Sequence, residues 1–110
     1  MTEFIQVVTT TATLEDAEKI ARAVIHSRHA ACAQVLGPIK SFFHWKGGVE
    51  EERESLCVMK TLEKSYEALE RVIRENHSYE VPEIVALSIH KGGEDYLSWI
   101  RGEVRVADGK

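Results

Sequence analysis

Several kinds of residue that organise small proteins are scarce in this chain. Two cysteines and two prolines occur among 110 residues, so neither a disulfide framework nor a proline-rich linker shapes it. Cys32 and Cys57 are expected to be free thiols of a reducing compartment rather than a structural disulfide. No apolar run approaches the length needed to cross a bilayer, so no membrane insertion is expected. Basic charge is not in excess either. The formal net charge of −4 gives no surface for a nucleic-acid backbone, and nucleic acid is not expected as a partner. The opening Met1-Thr2-Glu3 lacks the basic and apolar regions of a secretory leader, which points to a cytoplasmic location. The spacings C-x-x-C, H-x-x-x-H and G-x-S-x-G and glycine-rich phosphate loops are missing. The chain is therefore not read as an enzyme, and no catalytic residue is assigned.

What the sequence does contain is alternation. Residues 30–61 read as one long β-hairpin, polar and apolar by turns, with Gly47-Gly48 as a type I′ two-residue turn. Each arm reaches about a dozen residues, against the usual five or six. A small domain covers only part of such a ribbon, so the remainder is expected to pair with another copy of the chain. That turn places Trp45 opposite Glu50, Phe43 opposite Glu52, and Phe42 opposite Arg53. The row Glu50, Glu51, Glu52, Glu54 is either a solvated edge that resists aggregation or the wall of a polar inter-subunit cleft.

Around the hairpin, Phe4–Val8 reads as a strand. Thr13 caps a helix whose stripe is Leu14, Ala17, Ile20, Ala21, Val24 and Ile25. A bend is expected at Gly37-Pro38. A second helix starts near Glu63 and buries Tyr66, Leu69, Val72 and Ile73. Residues 83–89 form a strand, and 95–100 a short helix with Tyr96, Leu97 and Ile100 inward. The fold class is α+β: a ferredoxin-like βαββαβ arrangement with an antiparallel sheet, a long hairpin and a short C-terminal helix. Residues 1–110 make a single domain, of which about 106–110 read as frayed.

Five segments carry a resemblance. They are Ala30-Ala31-Cys32-Ala33-Gln34, Phe43-His44-Trp45-Lys46-Gly47, Lys60-Thr61, His77 to Ile84, and Tyr96-Leu97-Ser98-Trp99. In order and spacing the chain resembles the CutA divalent-cation tolerance family over roughly Phe4 to Glu103. That resemblance implies a homotrimer with long hairpins joined between subunits and a role in tolerance of divalent ions such as copper. It also implies a PII-like arrangement with clefts between subunits that could take a small molecule or a protein partner. Residue by residue, Trp45, Lys60, Tyr79 and Glu83 fall at positions of that polar cleft, and Cys32 and His77 at candidate metal positions. A weakly held divalent metal, copper foremost, is the only cofactor expected. Some members carry a cysteine and a tandem histidine where this chain has Thr9 and Asn76-His77, which leaves one of three soft ligands. The alternatives are a small-molecule-sensing trimer of PII type and a trimeric adaptor for a protein partner.

Overall fold

A computed structural model describes residues 2–105; the expectation for 106–110 lies outside that range. The chain runs β1 (Phe4–Thr11), α1 (Leu14–His26), β2 (Cys32–Trp45), β3 (Gly48–Leu62), a 3₁₀ turn (Glu63–Ser65), α2 (Tyr66–Glu75), β4 (Ile84–Ser88) and α3 (Glu94–Glu103). One sheet forms in the order β2-β3-β1-β4, and every neighbouring pair is antiparallel. This is the split βαβ arrangement the sequence predicts.

Thr13 caps α1 as expected, its Oγ1 accepting from the Asp16 N–H at 3.0 Å. Both α1 and α2 cover one face of the sheet, where Ile5, Val7, Cys57 and Met59 meet Ile20, Val24, Leu69 and Ile73 in the main core. Among the described residues the opposite face is covered only at one end, where Ile100 of α3 and Val104 just after it pack against Phe4 and Leu62. Beyond α3 that face keeps Leu36, Val85 and Leu87 exposed. The two outer strands of the sheet, β2 and β4, each have an edge left unpaired among the described residues.

Three expectations are corrected. The turn residues with positive φ are Lys46 (49°) and Gly47 (83°), so the type I′ turn sits one residue earlier than Gly47-Gly48. Trp45 therefore faces Gly48, Phe43 faces Glu50 and Phe42 faces Glu51. The cause lies in the bulge at Gly37-Pro38, which sets two β2 residues against Ser55 alone. On the core side of it Val35 pairs with Cys57, and one extra residue then carries the register to Ile39 with Glu54. Counting outward from there leaves 46 and 47 as the loop. Moving the turn by one residue changes each cross-strand partner by two positions, so every side chain keeps the face the sequence assigned. Second, the α2 region opens with a 3₁₀ turn, and α3 runs on to Glu103 instead of stopping near Ile100. Third, Tyr96 is exposed and stacks on Trp99 at 5.5 Å between ring centroids. The Ile100–Val104 end of α3 fills the small core, so the helix does not need Tyr96 there.

Candidate functional site

The four residues proposed for a polar cleft do not meet within one chain. Trp45 lies at the ribbon tip opposite Gly48, with the Lys46 ammonium 5.7 Å from its ring centroid. Lys60 lies at the far end of β3, beside Gln6 of β1 and Cys32 of β2. Twelve residues separate Gly48 from Lys60 along one strand, a span on the order of 40 Å. Tyr79 sits between these extremes, on the connection from α2 to β4. Glu83 is exposed just before β4. A site holding both Trp45 and Lys60 therefore requires a second chain.

Around Tyr79 the single chain does build a polar cluster. The Tyr79 hydroxyl donates to Glu54 Oε2 at 2.6 Å, and Glu54 is buried. Burial first, then that hydrogen bond, pushes the Tyr79 phenol far above its ordinary pKa. The Tyr79 backbone N–H donates to His77 Nδ1 at 3.1 Å. An Nδ1 that accepts carries no proton, so the ring hydrogen is on Nε2. There it faces the Thr10 carbonyl at 2.9 Å and Thr9 Oγ1 at 3.0 Å. Desolvation is the main reason the His77 pKa falls below its usual value, opposed by the Thr10 carbonyl and the Asp16 and Glu54 carboxylates. The imidazole is thus held neutral with both nitrogens in use. Ser78 Oγ donates to Asp16 Oδ2 at 3.2 Å, tying the same connection to α1.

Cys32 belongs to a different group. Tyr96 Oη donates to its Sγ at 3.6 Å, and the neighbouring Lys60 Nζ donates to Gln34 Oε1 at 2.5 Å. His77 and Cys32 therefore have separate surroundings, and neither shares a contact with the other. The cysteine nearest the histidine in the sheet register is Cys57, the partner of Thr9. It is wholly buried, and burial, with a smaller contribution from Cys32, raises its thiol to about 12. Both cysteines are free. Among the described residues no group of three or more His, Cys, Asp or Glu converges on a point that could hold a metal ion.

From the sequence Glu54 is read only as one of an acidic row, as a solvated edge or a cleft wall, and Thr10 is not given a site role. Glu54 stands in an acidic row where its neighbours are solvated. It pairs with Ile39, just past the Gly37-Pro38 bulge that the sequence register did not count.

Sheet order and helix placement define a ferredoxin-like α+β protein with an oversized hairpin. The family model described as CutA1 divalent ion tolerance protein matches residues 5–103, and the chain belongs to that family. It is 42% identical to the human protein named Protein CutA over 85 residues, which cover 77% of this chain and 48% of the human one. The chain thus spans about half the length of that relative. To the Divalent-cation tolerance protein CutA of Thermus thermophilus it is 39% identical, over 79% of this chain and 84% of the other. A solved structure of CutA1 from Oryza sativa superposes with a TM-score of 0.91 at 34% identity, covering 94% of this chain and 95% of that one. A structure from Archaeoglobus fulgidus, described as periplasmic, superposes at 0.87 with 33% identity over 91% and 97%.

Proposed function

We propose that the protein works as a homotrimer in tolerance of divalent metal ions, copper foremost, as a non-enzymatic binder whose cleft lies between subunits. The observation that carries this reading is the length of the ribbon: Trp45 and Lys60 are strung along it some 40 Å apart and can share a cleft only across a subunit boundary. The free edges of β2 and β4 and the exposed Leu36, Val85 and Leu87 support burial by further copies. The free thiols support a reducing, cytoplasmic setting.

Metal binding is assigned to His77 and Cys32, with further ligands drawn from a neighbouring subunit. Because His77 Nδ1 already accepts from the Tyr79 N–H, a metal there displaces that bond, and affinity is weak. The test is native mass spectrometry with and without copper. A trimer whose copper uptake falls in His77→Ala and in Cys32→Ala is expected. A monomer at micromolar concentration, or uptake unchanged in both variants, overturns the reading.

One observation favours a second reading. The Lys60 ammonium has an amide and no carboxylate as its partner among the described residues, which suits an anionic small molecule of the kind PII-type sensors bind. A nucleotide and metabolite panel that leaves the melting temperature unmoved argues against it. The exposed Val81, Val85 and Leu87 are the feature that would serve an adaptor with a protein partner.

A further inference from the structure

Among the described residues one buried side-chain polar atom has no hydrogen-bond partner, the Nδ1 of His29. It lies in the turn between α1 and β2. There Arg28 holds a φ of 63°, a left-handed conformation that is costly without glycine and persists only where its surroundings enforce it. The His29 N–H reaches back to the Val24 carbonyl at 3.2 Å. Its own carbonyl accepts from Oγ1 of buried Thr61 at 2.6 Å.

The end of α3 is fastened to the same turn. The Arg105 N–H donates to the Arg28 carbonyl at 2.7 Å. Oγ of buried Ser65 donates to the Arg105 carbonyl at 3.0 Å. The Arg28 guanidinium pairs with Glu103 at 2.6 Å. Val104 lies between the fastened residues and, with Ile100, packs against Phe4 and Leu62 in the small core.

A neutral imidazole leaves only a lone pair bare at Nδ1, whereas a protonated ring carries hydrogen on both nitrogens. Protonation would therefore bury an N–H with no acceptor, which is costly. The surrounding charges add to that cost. Arg71 of α2 and Arg105 after α3 both repel a cationic ring, and among the described residues no carboxylate offsets them. On the turn itself Arg28 is paired with Glu103, and β3 contributes the neutral Thr61. Burial first, then Arg105 and Arg71, hold the His29 pKa below its ordinary 6.5. A form that frees the ring takes up the proton more readily, so it gains weight as the pH falls below 6.5.

We propose that His29 is a proton-sensitive clasp: charging its ring releases residues 103–105 from the α1–β2 turn and loosens the end of α3, while the main core stays folded. The clasp is independent of the metal and cleft readings, since it uses none of their residues.

The test is hydrogen exchange with mass spectrometry on the full chain at about pH 7.5 and about pH 5, on either side of histidine titration. Rates are corrected for the intrinsic pH dependence of exchange. Peptides covering 97–105 are expected to lose protection at the lower pH, while those covering 69–75 of α2 keep theirs. His29→Phe retains a ring that takes no proton and is expected to keep 97–105 protected at both values. Arg105→Gln removes one repelling charge but leaves the backbone bonds, and is expected to show a smaller loss than the parent chain. Unchanged protection of 97–105 in the parent chain overturns the proposal. So does an equal acid response in His29→Phe or, should that variant not fold, in Arg105→Gln.

Discussion

Strand β3 passes through two environments, and the contrast between them separates the part with a core of its own from the part left uncovered among the described residues. From Ser55 to Leu62 it lies between α1, α2 and the neighbouring strands, and Ser55, Cys57, Met59, Thr61 and Leu62 are buried. From Gly48 to Arg53 the same strand keeps its ladder with β2 but has no covering layer among the described residues, and only Glu50 there is even half-buried. Backbone pairing is continuous across the boundary, so hydrogen bonding is not what distinguishes the halves. The difference is apolar burial, the dominant favourable term in folding. The globular half carries its own core, whereas the ribbon leaves Phe42 66% and Val49 70% exposed, which is the surface the proposed assembly would cover.

The largest expected effect tests that division. Leu69→Ala, at a wholly buried site, should cost about 2–5 kcal/mol of stability in denaturant unfolding. Phe42→Ala should change the stability of a dissociated chain by under about 0.5 kcal/mol while lowering the assembled fraction in sedimentation. Comparable losses from both would show that the ribbon is part of the single-chain core.

Next comes the buried thiol. The Cys57 pKa rises from 9.0 to about 12 on folding. Below pH 9 both states hold the proton and stability is complete. Between pH 9 and 12 the unfolded chain releases it while the folded chain keeps it, so folding is penalised by about 1.4 kcal/mol per pH unit. Melting temperatures should fall less steeply with pH in Cys57→Ala across that window than in the parent chain. Equal slopes would place the thiol in contact with water.

Smaller again is Tyr79→Phe, which removes the donor to Glu54 Oε2 and should cost about 1–3 kcal/mol in thermal unfolding. On the acid side, the lowered His77 pKa means stability present above pH 6.5 and lost as the pH falls through the folded value. His77→Gln should flatten that acid limb. Least of all, Lys46→Gly relieves a positive φ at an exposed turn and should raise stability by a few tenths of a kcal/mol, once the greater backbone entropy of glycine is set against the relief. A loss there would mean the Lys46–Trp45 contact outweighs backbone strain.

Much of the fold was legible because periodicity reports burial. The middle of the α1 stripe, Ala17, Ile20 and Val24, is buried as read, though its expected ends Leu14 and Ile25 are exposed; the alternation of the two arms and the Thr13 cap needed no partner information to read. The position of the turn was not legible, because it is counted outward from the core through a bulge, and glycines at 47 and 48 both suit a type I′ loop. Tyr96 continues the apolar stripe of α3 and so reads as inward, but the small core is closed by Ile100 and Val104 instead. Of the candidate site, Tyr79 and His77 were found as residues but not as a network. The His77–Thr9 contact joins positions 68 residues apart, and no local spacing encodes it. Glu54 was read only as one of an acidic row and not as its buried member, since depth is a property of the fold and not of the side chain.

The central claim is that the ribbon's chemistry is completed between chains, and lysines at 46 and 60 allow a direct test. An equal mixture of ¹⁴N and ¹⁵N protein, unfolded and refolded together, is treated with a short amine-reactive crosslinker and digested. The account predicts Lys46–Lys60 crosslinked peptides of mixed isotope, because one chain holds those residues on the order of 40 Å apart and only a neighbour can bring them within reach. Lys46–Lys60 peptides of single isotope only, or a protein that sediments as a monomer and gives no such link, would contradict it.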